Sequence, residues 1–141
     1  MDLVRLIYVS SADHAMNEAE LKQILDTAVS RNKEVDVTGM LLYSDGGFMQ
    51  VLEGPRAAVD EIYARICVDD RHHNILRLCT DAITERDFSR WNMGFKRITE
   101  SEIENLEDFA PFFSSDFQPE KHGIKAGTAL RVLKEFAAHN Y

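Results

Sequence analysis

The sequence predicts an α+β fold: a five-stranded sheet with two helices on one face, followed by two C-terminal helices. Three observations carry this expectation. Apolar runs and helical stripes follow one another in the order strand, helix, strand, strand, helix, strand, with one further strand. Asp45-Gly46-Gly47 joins the second and third strands, and Asp-Gly between apolar runs marks a hairpin because primed turns need residues that tolerate positive φ. The 141 residues, 45% hydrophobic and 28% charged, suit one globular unit with one core. The element order is the split βαβ pattern of a ferredoxin-like sheet.

Leu3 to Val9, rich in Leu, Ile and Val, reads as a buried strand, and Ser10 to Met16 as a polar loop. Asn17 with Glu20 makes a capping box. The helix it opens carries Leu21, Ile24, Leu25 and Ala28 on one stripe and should end near Asn32. Val37 to Ser44 and Phe48 to Glu53 form the hairpin strands. Gly54-Pro55 stops the second of them, and Pro55 suits the first turn of the next helix, where its missing N–H is no loss. That helix shows Val59, Ile62, Tyr63 and Ile66 on one side and ends around Asp69-Asp70. Asn74 to Ile83 and Trp91 to Arg97 read as the fourth and fifth strands.

Thr99 with Glu102 is a second capping box, starting a helix toward Phe109 before Pro111. Ala126, Ala129, Leu130, Leu133, Phe136 and Ala137 then recur at helical spacing. Residues 1–97 thus read as the core unit and 98–141 as a helical extension. Its apolar stripes must be buried on the free outer face of the sheet or against another subunit.

Composition removes several function classes. There are 24 acidic against 16 basic residues, a formal charge of -8, and no basic stripe interleaved with aromatics. Direct nucleic-acid binding is not expected. Apolar runs such as Gly39 to Tyr43 are far too short to cross a bilayer, and the start of the chain lacks a signal-peptide pattern. A cytoplasmic protein is expected. Cys67 and Cys79 are read as small buried hydrophobes, with no activating partner in sequence. His72 and His73 do not suggest a metal site, since adjacent residues of an extended chain point apart and no further ligands follow at zinc spacing.

Three polar features fit poorly in a plain core. Asn32 continues the apolar stripe of the first helix, and Asp69, flanked by Arg65, continues that of the second. Singly, each is an ordinary helix-end cap or surface contact. Together they describe a slot with apolar walls and a few polar anchors, which suits a planar heterocycle. The third feature is Gln50, which alternation places on one face with Phe48 and Leu52. A buried glutamine needs partners for an acceptor and two donors, and Tyr8 on the neighbouring first strand is a candidate. From spacing alone, a merely structural Tyr–Gln hydrogen bond is the favoured reading.

Five segments resemble the BLUF family, the sensors of blue light using FAD. They are Arg5-Leu6-Ile7-Tyr8-Val9-Ser10, Thr38-Gly39-Met40-Leu41-Leu42-Tyr43, Phe48-Met49-Gln50-Val51-Leu52-Glu53-Gly54, Asp69-Asp70-Arg71-His72 and Phe88-Ser89-Arg90-Trp91-Asn92-Met93-Gly94-Phe95. The match runs from about residue 3 to 97, and the C-terminal third looks like the two-helix extension of short members. The resemblance implies non-covalently bound FAD, with FMN as the other candidate. It makes Tyr8 the electron and proton donor to the excited flavin, and Gln50 the amide that rearranges between Tyr8 and the ring. It also implies that Asn32, with Arg31 beside it, holds the ring's carbonyl and N3 edge. Ile24 and Ile66 would sandwich the ring, near Phe48 on the Gln50 face. Arg65, Asp69, Arg71 and His72 would line the outer part of the slot. Trp91 and Met93 are the family's candidates for relaying the change. Arg31 and Asp70 depart from common residues of the family, Asp70 standing where a proline is frequent.

The expected function is a light receptor without catalytic activity of its own. Its output would be light-dependent association with an unidentified regulatory protein or within a homo-oligomer. The competing expectations are a cofactor-free ferredoxin-like regulatory module and a small acyl-phosphate hydrolase, although no convincing phosphate-binding loop is present. Thiol-adduct photochemistry is not expected from the settings of Cys67 and Cys79.

Overall fold

The structure, a computed structural model, describes residues 2–44, 46–90, 92–98, 127 and 129–134. The elements are β1 (Leu3–Ala12), α1 (Glu18–Glu34), β2 (Thr38–Ser44), β3 (Gly47–Pro55), α2 (Arg56–Cys67), β4 (His72–Ile83) and β5 (Gly94–Arg97). They form one five-stranded sheet in the order β4-β1-β3-β2-β5. β1 runs antiparallel to both β3 and β4, β2 antiparallel to β3, and β5 parallel to β2. This is the expected ferredoxin-like α+β arrangement with an added edge strand.

Local chemistry accounts for the element ends. The Asn17 side chain accepts from the Glu20 N–H at 2.8 Å while the Glu20 carboxylate accepts from the Asn17 N–H, so both halves of the capping box are made. Gly46 in the hairpin turn has φ 99°, the region that favours glycine. Several bounds differ from the expectation; α2 ends at Cys67 and not around Asp69-Asp70, and β4 starts at His72 and not Asn74. β1 continues to Ala12 because Ser10, Ser11 and Ala12 still find partners across the sheet, in Phe48, Gly47 and His72. Pro55 is the last residue of β3 and the cap position of α2, one place ahead of the first turn. β5 starts at Gly94 instead of Trp91.

Strand alternation divides the core into two layers. Leu6, Tyr8, Leu41, Phe48 and Leu52 pack with Leu21 and Ala28 of α1 and Val59, Ile62 and Ile66 of α2. On the other face, Ile7, Val9, Met40, Leu42, Met49 and Val51 are covered by Phe88, Ile98 and the helical residues Ala129, Val132 and Leu133. Of the C-terminal stripe, Ala129, Leu130 and Leu133 belong to this outer layer. The capping pair Thr99–Glu102, the helix toward Phe109, and Ala126, Phe136 and Ala137 lie outside the described residues.

Cys67 corrects an expectation: it is exposed, while Cys79 is half-buried. Position 67 falls at the last turn of α2, beyond the buried residues Val59, Ile62 and Ile66. No described helix is long and apolar enough to cross a membrane.

Candidate functional site

β1 and β3 pair in a register that sets Tyr8 directly opposite Gln50. Both side chains belong to the helix-side layer, and both are buried, at 4% and 3% exposure. The Tyr8 hydroxyl donates to Gln50 Oε1 at 2.5 Å. Gln50 Nε2 in turn donates to Met93 Sδ at 3.3 Å. A phenol, an amide and a thioether thus form one buried hydrogen-bonded row across three parts of the chain. Burial pushes the Tyr8 phenol far above its ordinary pKa, with the Arg31 guanidinium pulling the other way. The phenol is therefore a proton-bearing donor at any physiological pH.

This row ends in a narrow cleft between the helices and the sheet, with about 520 Å³ of empty space counting its mouth. Ile24 from α1 and Ile66 from α2 line it, and Phe48, Gln50 and Tyr8 line it from the sheet. Sequence reasoning did not single out Thr27, Ala28 or Leu41, which also line it. The signals were available: Ala28 is the smallest member of the α1 stripe and leaves width there, and Leu41 is the register partner of Gln50.

At the outer end stand Asp69, Arg71 and His72. The Arg71 side chain and N–H both donate to the Asp69 carboxylate, with Nε at 2.9 Å. This clamp holds Asp69 below the usual carboxylate range. His72 Nε2 lies 2.7 Å from the Ile66 carbonyl, which can only accept, so Nε2 carries the hydrogen. Nδ1 lies 2.8 Å from the Ser10 hydroxyl, so both ring nitrogens have hydrogen-bond partners and the ring is held in place.

Two other residues behave differently. Arg65, expected along the slot, instead pairs with Glu61 one helical turn away on the exposed side of α2 and does not line the cleft. Asn32 is fully buried but does not line it either; its Nδ2 donates to the Asn92 carbonyl at 2.8 Å. Asn92 Nδ2 donates to the Val37 carbonyl, so Asn32 and Val37 together fix the residue before Met93. Gly39 is required here as well: a Cβ there would lie 2.0 Å from the Val51 carbonyl oxygen and 3.2 Å from Met93 Cε. Met93 is the relay candidate beside Gln50, and Trp91 lies outside the described residues.

The donor set suits a flat ring bearing carbonyl and N–H groups. Among the described residues, Asn32 Oδ1 and Arg31 Nε find no hydrogen-bond partner although both are buried, one an acceptor and one a donor, on adjacent residues of α1. Such groups are costly to leave unmet. Apolar walls from both helices, with the Arg31 donor and the Gln50 amide, fit an isoalloxazine.

Tyr8 has a ring neighbour in Tyr63, 5.7 Å away between centroids, and burial pushes Tyr63 up to about 12. Unfolded phenols titrate near 10. The stabilisation from these two raised groups is complete below about pH 10 and is lost as pH climbs from there toward the folded values. In an alkaline titration, the tyrosinate absorbance that Tyr8→Phe removes should appear together with loss of the far-ultraviolet dichroism. Its appearance while the dichroism is still native would contradict the burial argument.

A family model described as BLUF, sensors of blue-light using FAD, matches residues 3–94. A photoactivated adenylate cyclase subunit beta of Euglena longa is 36% identical over 110 residues, 77% of this chain and 12% of that protein. The blue light- and temperature-regulated antirepressor BluF of Escherichia coli is 38% identical over 91 residues, 64% of this chain and 23% of that protein. The chain therefore spans a small part of these curated relatives. Among solved structures, the dark-state BLUF protein BlrB superposes with a TM-score of 0.77 at 30% identity, covering 99% of this chain and 98% of that one. BlsA in its photo-activated state superposes at 0.74 and 30% identity, covering 99% and 96%. With its Tyr8–Gln50 pair set on a matching sheet and the family model spanning every residue of the cleft, the chain belongs to the BLUF family of flavin-binding blue-light sensors.

Proposed function

We propose that Tyr8, Gln50 and Met93 are the working parts of this blue-light sensor, and that its output is a change of protein association. The single observation that carries the reading is the buried row Tyr8 Oη, Gln50 Oε1, Gln50 Nε2, Met93 Sδ. The bound flavin supplies the blue absorption and a one-electron acceptor. Tyr8 is the donor, giving up an electron and the proton on its Oη. Gln50 is the element with two states, because an amide can donate and accept without titrating near neutral pH.

The asymmetry of the row gives the switch a direction. With Oε1 toward Tyr8, Gln50 Nε2 donates to Met93 Sδ. Reversing the amide turns Oε1 toward a thioether that cannot donate, so the Gln50–Met93 bond is lost. A bond of this kind is worth roughly 0.5–1.5 kcal/mol, up to about tenfold in an equilibrium. That suffices to bias a finely poised association and falls far short of unfolding an element.

Arg31, which lines the cleft with a buried Nε, would grip the ring edge with Asn32 behind it at the end of α1, Ile24 and Ile66 would flank it, and Asp69, Arg71 and His72 would close the outer end. These contacts suit FAD and FMN alike, because they address the ring. The Escherichia coli relative's name, an antirepressor regulated by blue light, supports a regulatory protein as partner. Self-association through the helical extension and a cytoplasmic setting complete the reading, with no enzymatic chemistry in these 141 residues. Purified protein should be yellow, and blue light should shift its flavin bands reversibly to longer wavelength and change its elution in size-exclusion chromatography with or without a host extract. A colourless protein, however expressed, would leave only the cofactor-free module.

A further inference from the structure

The outer face of the sheet holds a fully buried carboxylate that the photoactive row does not use. Glu53 sits on β3, three residues from Gln50, and is 0% exposed. Its Oε1 accepts from the Phe88 N–H at 2.7 Å. Its Oε2 accepts from Arg5 Nε at 2.8 Å and from the Asp87 N–H at 3.2 Å. Arg5 also pairs with the Asp87 carboxylate. Asp87 in turn faces Lys134 Nζ at 3.3 Å, on the helical segment that covers this face. A buried charge is tolerated only when so fully paired.

Two features give this cluster a role beyond stability. Phe88 belongs to the outer layer and Met93 to the helix-side layer, so the chain passes from one face to the other within five residues. Upstream that passage is held by Glu53; downstream it is held by Asn32 and Val37 through Asn92. Met93 and the Phe88 N–H that Glu53 holds are thus five positions apart in sequence and belong to opposite faces of the sheet. The same anchor, through Asp87, holds residue 134.

We propose that Glu53 is a positioning residue that couples the Gln50–Met93 switch to the helical segment 129–134 through Asp87 and Lys134. The coupling rests on the switch assigned above, and deepens it by giving the signal a route across the sheet. Glu53→Gln keeps an acceptor for the Phe88 N–H but sets an N–H₂ against the donors Arg5 Nε and the Asp87 N–H, which opens the clasp. Lys134→Met, at an exposed position, cuts the last link alone.

The test is amide hydrogen exchange on the flavin-loaded full chain, in darkness and under blue light, with the red shift and its dark decay recorded on the same samples. In the wild type, light should raise exchange at residues 86–88 and 129–134 by roughly threefold or more. Glu53→Gln should red-shift as far as the wild type, decay in darkness with a rate changed by roughly threefold to tenfold, and lose the light-dependent difference at 129–134. Lys134→Met should lose that difference at 129–134 yet keep it at 86–88. An unchanged light-dependent difference at 129–134 in Lys134→Met overturns the proposal even if Glu53→Gln fails to fold. So does a wild type that red-shifts with no exchange difference there. A wild type with no red shift overturns the switch itself, and this route with it.

Discussion

Tyr8→Phe is expected to yield a folded, yellow protein that shows no lasting red shift under blue light. The substitution keeps the ring and its packing in the helix-side layer, including the neighbour Tyr63 at 5.7 Å. What it removes is one O–H and, with it, the electron-rich phenol. Gln50 Oε1 then loses its donor in a site only 3% exposed. An unmet buried acceptor costs about 1–3 kcal/mol, enough to lower the midpoint of thermal unfolding by several degrees without abolishing the fold. The photochemical effect is larger, because a phenyl ring is a far poorer one-electron donor than a phenol. The emission of the bound flavin should rise as its quencher disappears. Absorbance before and after illumination checks the first expectation, and steady-state emission the second. A Tyr8→Phe protein with a full red shift would remove Tyr8 from the mechanism.

Most of the fold is legible in the sequence because its signals are local. The capping box needs only Asn17 and Glu20, and the hairpin only the residues around Gly46. Alternation along β3 alone sends Phe48, Gln50 and Leu52 to one layer and Met49 and Val51 to the other. The partnering of Tyr8 with Gln50 needs one further step, that β1 lies beside β3, which follows from the strand–helix order. Arg65 is a case where a local rule was present and outweighed by the resemblance: Glu61 four residues earlier is its surface partner.

What escapes the sequence depends on partners far away along the chain. The segment from Trp91 reads as strand by its residue types, yet Asn92 spends its side chain on the Val37 carbonyl and its own carbonyl on Asn32, and the strand begins only at Gly94. Glu53 reads as an ordinary strand-end carboxylate; its burial rests on Arg5, Asp87 and Phe88, each at least 34 positions distant. No window on the sequence contains these groups together. The Gln50–Met93 contact, 43 positions apart, is of the same kind.

Gln50→Leu separates the two halves of the mechanism, which Tyr8→Phe removes together. Leucine fills most of the space of glutamine in an apolar layer beside Leu41 and Phe48, so the protein should fold and bind flavin. The Tyr8 O–H loses its acceptor and Met93 Sδ its donor, at a cost of about 1–3 kcal/mol for the stranded hydroxyl. The phenol itself remains in the cleft lining, and electron transfer needs proximity, not a hydrogen-bonded amide. Emission should therefore stay quenched, in contrast to Tyr8→Phe, while the lasting red shift is absent because nothing with two orientations is left to hold it. Each variant alone, lacking the shift, could be dismissed as a damaged site. The opposite emission of the pair is what a donor and a separate switch require. Should Gln50→Leu retain a reversible red shift of wild-type size, the two-state element would have to be sought elsewhere in the row.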